Sequence, residues 1–324
     1  EEKPRRLGFG AEYNSSDGVR LSAFWFHRNL TGASDRLRFN FDITRRLNER
    51  TEYEFDIGAT YRRPAVIRSS DDLFLDLRFY QDDLDDYVET ALVFGSRIER
   101  QFSDVFAASL GVSLSRSITD FGFTKKKFDI YGIPGVLTWD SRDFEGDPKN
   151  GIFAKAEIMP FYGGQDADSG MRATLNARYY QGFGAEERFV LALRGLVGTV
   201  FNGRTGTVPE RMLFFSGGSE TVRGHEYRSL GVDVGDRTFG GAGFLGASIE
   251  GRYWVTETIG VVAFYDYGYV SPEELGKGSG NSHSGAGIGA RYATPIGPIR
   301  FDVAGPVSGE GEGVQFYLGI GQAF

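Results

Sequence analysis

Hydrophobic and polar residues alternate with a period of two over most of the chain. In 37–44, Leu37, Phe39, Phe41 and Ile43 take the odd positions, and Arg38, Asn40, Asp42 and Thr44 the even ones. The same alternation sets Tyr53, Phe55, Ile57 and Ala59 against Glu54, Asp56, Gly58 and Thr60. It sets Met171, Ala173, Leu175 and Ala177 against Arg172, Thr174, Asn176 and Arg178. Successive side chains of a strand point to opposite faces, so one face is apolar and the other carries full charges. The pattern predicts about sixteen strands, at 7–15, 18–28, 35–46, 51–63, 71–81, 86–100, 104–118, 126–139, 151–162, 170–182, 187–201, 243–255, 258–270, 283–294, 297–305 and 313–324. Helical periodicity is nearly absent. Turn residues mark most joints, among them Ser16-Asp17, Gly182-Phe183-Gly184 and Pro148-Lys149-Asn150-Gly151. The exception is 202–242, about 40 residues rich in glycine and charge, a length that in a compact protein is functional or disordered.

Two architectures accept period-two strands, a soluble sandwich and a membrane barrel. Sandwich strands average about 5–6 residues, whereas these run nearer ~10–14, the length of a tilted strand crossing a bilayer. Tyr80, Tyr87, Trp139, Tyr179, Tyr180, Trp254 and Tyr292 lie near strand ends, where interfacial girdles sit. Closure also removes exposed edges. The pattern therefore predicts an all-β, sixteen-stranded antiparallel transmembrane barrel. In the last strand, Val314, Phe316, Leu318, Ile320 and Phe324 are expected on one face.

Composition supports this. Hydrophobic residues are 40% and charged residues 25% of the chain, and no run reaches the ~18 apolar residues of a spanning helix. Aromatics at 15% supply enough burial to exclude disorder. There is no cysteine, which removes disulfides, thiolate metal sites and cysteine nucleophiles. A net charge of −8 argues against nucleic acid as a partner. The opening EEKPRRLGFG has no apolar signal-peptide core, which leaves a processed or trimmed chain or a cytoplasmic one. No HExxH, P-loop or GxSxG occurs, and the histidines are His27, His225 and His283, so neither an enzyme nor a cofactor is expected. QDDLDD at 81–86 lacks the ligand spacing and glycine of a calcium loop and reads as a solvated turn. Arg62-Arg63 and Lys125-Lys126-Lys127 read as surface charge or as contacts to lipid phosphates.

The segment FFSGGSETVRGHEYRSLG at 214–231 resembles the lumen-inserted loop motif of the outer-membrane assembly-factor and two-partner-secretion superfamily, that of BamA and TamA. Gly217, Gly218, Val222, Arg223 and Gly224 match, and His225 stands where that family has Tyr or Phe. LTWDSRDFEGDPKNG (137–151), SIEGRYW (248–254) and FYDYGYV (264–270) resemble further family segments in the expected order, and the PIGPIRFD stretch resembles TamA more than BamA. The terminal Phe324 resembles the assembly signal of outer-membrane barrels, with Gln322 in place of the usual aromatic.

The resemblance implies sixteen strands with a long loop between the eleventh and twelfth folding into the lumen. It implies periplasmic POTRA domains ahead of the barrel, with 1–6 a linker stub and 7–324 the barrel. Client outer-membrane proteins, lipids and lipopolysaccharide, and a TamB-like inner-membrane protein are the implied partners. Parity turns Glu250 and Asp266 inward, where Arg223 can meet both, because guanidinium pairs with carboxylates in a planar, bidentate way. The alternative is one more solvated lumen charge, worth ~0–1 kcal/mol. Gly8 and Gly10 in the first strand and Gly319 and Gly321 in the last predict a weak seam that opens sideways, or else glycines that relieve curvature. The implied activity is assembly or translocation of outer-membrane clients. A BamA-type insertase, a two-partner secretion pore and a passive porin remain as rivals.

Overall fold

Sixteen strands wrap into one closed antiparallel barrel, each hydrogen-bonded to its sequence neighbours, with the last returning to the first. This is a computed structural model in which residues 4–15, 18–45, 53–295, 297–311 and 313–324 are described. The strands are β1 (Arg5–Asn14), β2 (Gly18–Arg28), β3 (Arg36–Arg45), β4 (Tyr53–Arg63), β5 (Asp71–Leu84), β6 (Tyr87–Gln101) and β7 (Phe106–Asp120). Then come β8 (Lys125–Gly132 and Gly135–Asp140), β9 (Gly151–Gln165), β10 (Gly170–Phe183) and β11 (Phe189–Phe201). The last five are β12 (Gly243–Trp254), β13 (Ile259–Ser271), β14 (Asn281–Tyr292), β15 (Ile299–Ser308) and β16 (Gln315–Ile320). β1 begins at Arg5, two residues inside the expected linker. The predicted Ser16-Asp17 turn, residues 1–3 of that linker and positions 46 and 51–52 of two predicted strands lie outside the described residues.

One predicted strand is split. The 126–139 segment breaks at Ile133-Pro134, because proline brings no N–H to the ladder. The two pieces pair with different stretches of β9, on either side of Met159-Pro160.

The alternation becomes the two faces of the wall. Along β13, Val261, Ala263, Tyr265 and Tyr267 are exposed on the outside, while Val262, Phe264, Asp266 and Gly268 are buried within. Phe39, Leu77, Leu92 and Ile249 continue the exposed apolar band that lipid covers in a barrel of this type. Of the predicted girdle, Trp139, Tyr179 and Tyr292 face outward. Tyr80, Tyr87 and Tyr180 are buried inside instead. Their parity, not their nearness to a strand end, decides the face: Tyr80 donates a hydrogen bond to inward Glu89, and Tyr87 receives one from Arg228.

The inner face is polar, with ion pairs such as Arg78–Asp56 and Arg97–Asp76 bridging neighbouring strands. The apolar core lies where the wall meets the 202–242 segment. Val208, Leu213 and Phe214 pack there against Ile130, Phe161, Val200, Phe244 and Val270.

Candidate functional site

The 202–242 segment leaves β11 and returns to β12 by folding against the inner wall. It holds a single 3-10 turn (Glu210–Met212) and a small hairpin (Val232–Val234 with Arg237–Phe239). Its two limbs are bridged at Phe214–Gly241 and Ser216–Leu230. On one side it is fastened to β5 and β6. The Glu210 N–H donates to Glu89 at 2.7 Å, Arg211 lies 3.4 Å from Asp82, and the Thr238 N–H donates to Asp86 at 2.9 Å. The QDDLDD stretch is a solvated turn only at its end: β5 runs to Leu84, Asp85 and Asp86 form the turn, and Asp82 is buried facing Arg211 and Arg228. The lysine run is also engaged, with Lys126 donating to the Gly206 carbonyl at 2.7 Å and Lys125 2.8 Å from Asp120.

Burial raises the Glu210 carboxyl to a pKa of about 8, with nearby Glu89 adding to the rise and hydrogen bonds such as that from Gly240 opposing it.

The tip crosses to β12–β15. Arg223 donates from Nε to Asp266 at 2.7 Å, from Nη2 to the same carboxylate at 3.1 Å, and from Nη1 to Glu250 at 2.9 Å. Its backbone N–H also reaches Asp266, at 3.1 Å. The guanidinium lies 3.4 Å from the centroid of the Phe264 ring. A third carboxylate, Asp302 on β15, is 3.6 Å away. Two further arginines complete the cluster: Arg252 donates to Glu250 at 2.7 Å, and Arg291 pairs with Asp302. Three arginines thus balance three carboxylates, all of them nearly water-free. Burial disfavours the charged guanidinium of Arg223, but Asp266 and Glu250 more than offset it and hold the pKa above the ordinary arginine range.

Glycines bring the tip this close. A Cβ on Gly285 would sit 1.9 Å from the Arg223 carbonyl oxygen, and one on Gly224 would sit 2.6 Å from the Gly305 carbonyl oxygen. A bulge between Ser284 and Gly285 marks this approach. Gly217, Gly218 and Gly224 have φ of 109°, 90° and 97°, the left-handed region that glycine enters without strain. Val222 is fully buried, and a Cβ on Gly268 would lie 2.9 Å from its side chain. The Gly224 N–H donates to the Tyr317 hydroxyl at 2.9 Å. His225 fills its position with a ring as well, packed 4.1 Å from His283 between the Ser284 and Glu310 carbonyls.

Asp302, Arg252, Arg291, Gly285, Gly305 and Tyr317 are absent from the expected site. Parity on β15 would have placed Asp302 inward beside Glu250 and Asp266. The wall glycines carry no comparable signal.

The seam is the second feature. β5 and β6 stay in register from Asp71–Arg100 to Leu84–Tyr87, but β1 and β16 do so only at Tyr13–Leu318 and Asn14–Tyr317. Ser15 extends the contact with hydrogen bonds to Phe316 and Gln315. On the side facing β16, the β1 edge from Leu7 to Glu12 has no ladder partner among the described residues, and its Phe9 is 82% exposed. Gly319 lies beside Glu12 rather than Gly10, and Arg300 on β15 passes it to reach Glu12 at 2.9 Å. Gly8 and Gly10 sit under Phe24 and Ser22 of β2, where added Cβ atoms would approach to 2.1 and 2.5 Å.

Phe324 does not share the outer face of Phe316, Leu318 and Ile320. Gly321, with φ of 94°, ends the alternation, and the tail turns into the lumen. Phe324 is 7% exposed, packed on Tyr180 and Ala192.

A closed sixteen-stranded barrel with an inward-folded loop and a short seam defines a class of outer-membrane assembly and translocation proteins. The chain matches the Omp85 superfamily domain over residues 3–324 and belongs to that superfamily. It is thus an integral outer-membrane barrel. Its fold is similar to that of BamA from Haemophilus ducreyi lacking POTRA domains 1–3, with a TM-score of 0.83 at 16% identity. That match covers 99% of this chain and 70% of the other. CdiB from Acinetobacter baumannii matches with a TM-score of 0.71 at 12% identity, covering 98% of this chain and 60% of that one. CdiB from Escherichia coli matches with a TM-score of 0.65 at 12% identity, covering 99% and 63%.

Proposed function

We propose that the chain is the barrel domain of a TamA-like assembly factor, which helps insert or translocate outer-membrane clients through the β1/β16 seam. The observation that carries this reading is the seam itself, held in register at two residue pairs while the β1 edge from Leu7 to Glu12 has no ladder partner among the described residues. An incoming client strand would pair with that edge by β-augmentation, gaining main-chain hydrogen bonds before it leaves water. Free energy would then come from client strand pairing and lipid burial, without nucleotide or cofactor. Arg223, held by Glu250 and Asp266, would fix the loop so that the lumen keeps its shape while the seam parts. POTRA domains ahead of residue 7 would receive clients, a TamB-like protein would be the inner-membrane partner, and lipopolysaccharide would contact the outer rim.

The likeness to BamA favours a BamA-type insertase as the second reading. The test uses the full-length protein in liposomes and urea-denatured client barrels. Faster client folding than in empty liposomes supports an insertase or assembly factor, and no acceleration refutes both. A client range limited to autotransporters fits the TamA-like reading, and general acceleration fits the BamA type.

A further inference from the structure

We propose that a belt of arginines on the inner wall, at the rim where β1 starts, is a docking surface for an acidic, extended segment of a client strand. The inference takes its partner from the assembly reading and so rests on it, while the belt itself is separate from the seam contacts that carry that reading.

Strand register builds the belt. Arg28, Arg36 and Arg62 are direct neighbours across β2, β3 and β4, and the row continues through Phe74 on β5 to Arg97 on β6. The adjacent row holds Arg6, Phe26 and Arg38 on β1, β2 and β3. Phe39 faces lipid, so parity turns Arg36 and Arg38 into the lumen. Like charges directly opposite one another destabilise a sheet. Arg62 and Arg97 are answered by Asp72 and Asp76. Arg36 and Arg38 are exposed and have no carboxylate partner among the described residues. Asp35, next to Arg36 in sequence, is buried and accepts from the Thr31 N–H at 2.9 Å. In a chain of net charge −8, this is a local excess of positive charge and not a general basicity.

Aromatic rings lay the guanidinium groups along the wall. Arg38 lies 4.4 Å from the centroid of Phe24, and Arg97 and Arg62 lie 4.2 and 5.6 Å from that of Phe74. Phe24 in turn covers Gly8, where a Cβ would come within 2.1 Å of the ring. The inward positions of β1 at Gly8 and Gly10 have no side chain, so the surface runs uninterrupted from Arg38 to the β1 edge that lacks a ladder partner. A strand pairing with that edge brings its lumen-facing side chains and its flanking residues beside the belt. Lumen-facing positions of such barrels carry carboxylates, and this chain supplies an example in Glu54 and Asp56 of β4, which line the lumen cavity. Guanidinium takes a carboxylate through two parallel hydrogen bonds. The belt faces the lumen and not the lipid band, which favours a polypeptide over a lipid headgroup.

The probe is the heptapeptide Tyr-Glu-Phe-Asp-Ile-Gly-Ala, the sequence of 53–59, with a fluorophore on its N-terminus and an amidated end. Its neutral twin has Gln and Asn in place of Glu and Asp. Anisotropy reads binding to the full-length protein in detergent at low salt. The acidic peptide should bind saturably, and the twin about fivefold more weakly, the loss expected for two exposed ion pairs. Salt at ~1 M should erase the difference. Arg36→Gln with Arg38→Gln should weaken the acidic peptide by a similar factor and leave the twin unchanged. Arg36→Glu with Arg38→Glu should instead prefer a peptide with lysine at the same two positions, a gain that misfolding cannot produce. Equal affinity for the acidic peptide and its twin, or no response to the arginine variants, overturns the belt. Binding of phosphatidylglycerol with the same arginine dependence, and none of the acidic peptide, also overturns it and makes the belt a lipid site. The client-folding test keeps the two readings apart. Accelerated client folding without acidic preference discards the belt alone. Acidic preference without acceleration discards the assembly reading and leaves the belt as a surface for acidic peptides.

Discussion

Replacing Arg223 by methionine should release the loop tip from the wall, and the cluster geometry sets the size of the effect. Arg223 pairs with Asp266 at 2.7 Å and Glu250 at 2.9 Å, with Asp302 at 3.6 Å. Without it, Glu250, Asp266 and Asp302 face only Arg252 and Arg291, so one buried carboxylate is left without compensation. Breaking a buried ion pair in this one-sided way costs ~3–5 kcal/mol, roughly a 10²- to 10⁴-fold rise in the opened population. Neutralising the opposite partner too, as Arg223→Met with Asp266→Asn, restores the balance, so the double variant should open less than the sum of the single effects. The assay exploits the cysteine-free chain. A single Val222→Cys, at a fully buried position beside Arg223, reacts with a thiol reagent only when the tip lifts. Labelling should accelerate by about two orders of magnitude in Arg223→Met. Rates within about twofold of the parent would refute the pin and return Arg223 to the class of weak, solvated charges.

Gly285→Val should also dislodge the tip, with Val222→Cys labelling accelerated while the barrel stays folded. The added Cβ meets the Arg223 carbonyl oxygen, a backbone atom, at 1.9 Å, so the tip must shift away from the wall. Loop docking should depend on pH through Glu210. Its pKa is raised to about 8 from an unfolded value near ~4.3, so the folded state keeps the proton that the unfolded state loses. Docking is then full below about pH 4, weakens as pH rises from there to about 8, and is level above. Glu210→Gln should flatten that slope in a proteolysis assay of the 202–242 segment, and an unchanged slope would count against it.

Strand existence and face were legible because period two is a local signal: each of Ala247 to Tyr253 takes its side from its neighbours alone. The inward turn of Glu250 and Asp266 follows from that parity. What the alternation leaves unreported is where it stops. Pro134 interrupts β8, and Gly321 turns Phe324 from the expected outer face into the lumen. Partners brought together by closure are also silent in a one-dimensional pattern. Asp302 and Arg291 join the Arg223 cluster across β14 and β15, and Gly285 and Gly305 clear space for a loop more than sixty residues earlier in the chain. Asp82 read as solvated because its neighbours in sequence are acidic, but its neighbours in space are Arg211 and Arg228. Gln322 stood out as a departure from an aromatic pattern. Its amide bridges Arg291 and Asp147, a role that an aromatic ring could not fill.

The central claim is that the β1/β16 seam parts during function. Tyr13 and Leu318 are register partners on the outer face, at the end where the two strands still pair. A Tyr13→Cys, Leu318→Cys variant of the full-length protein can be locked by oxidation and released by reduction, with no other thiol in residues 1–324 to interfere. Client assembly is then measured in both states. Assembly lost on oxidation and regained on reduction is the predicted result, and undiminished assembly by the locked barrel would contradict lateral opening.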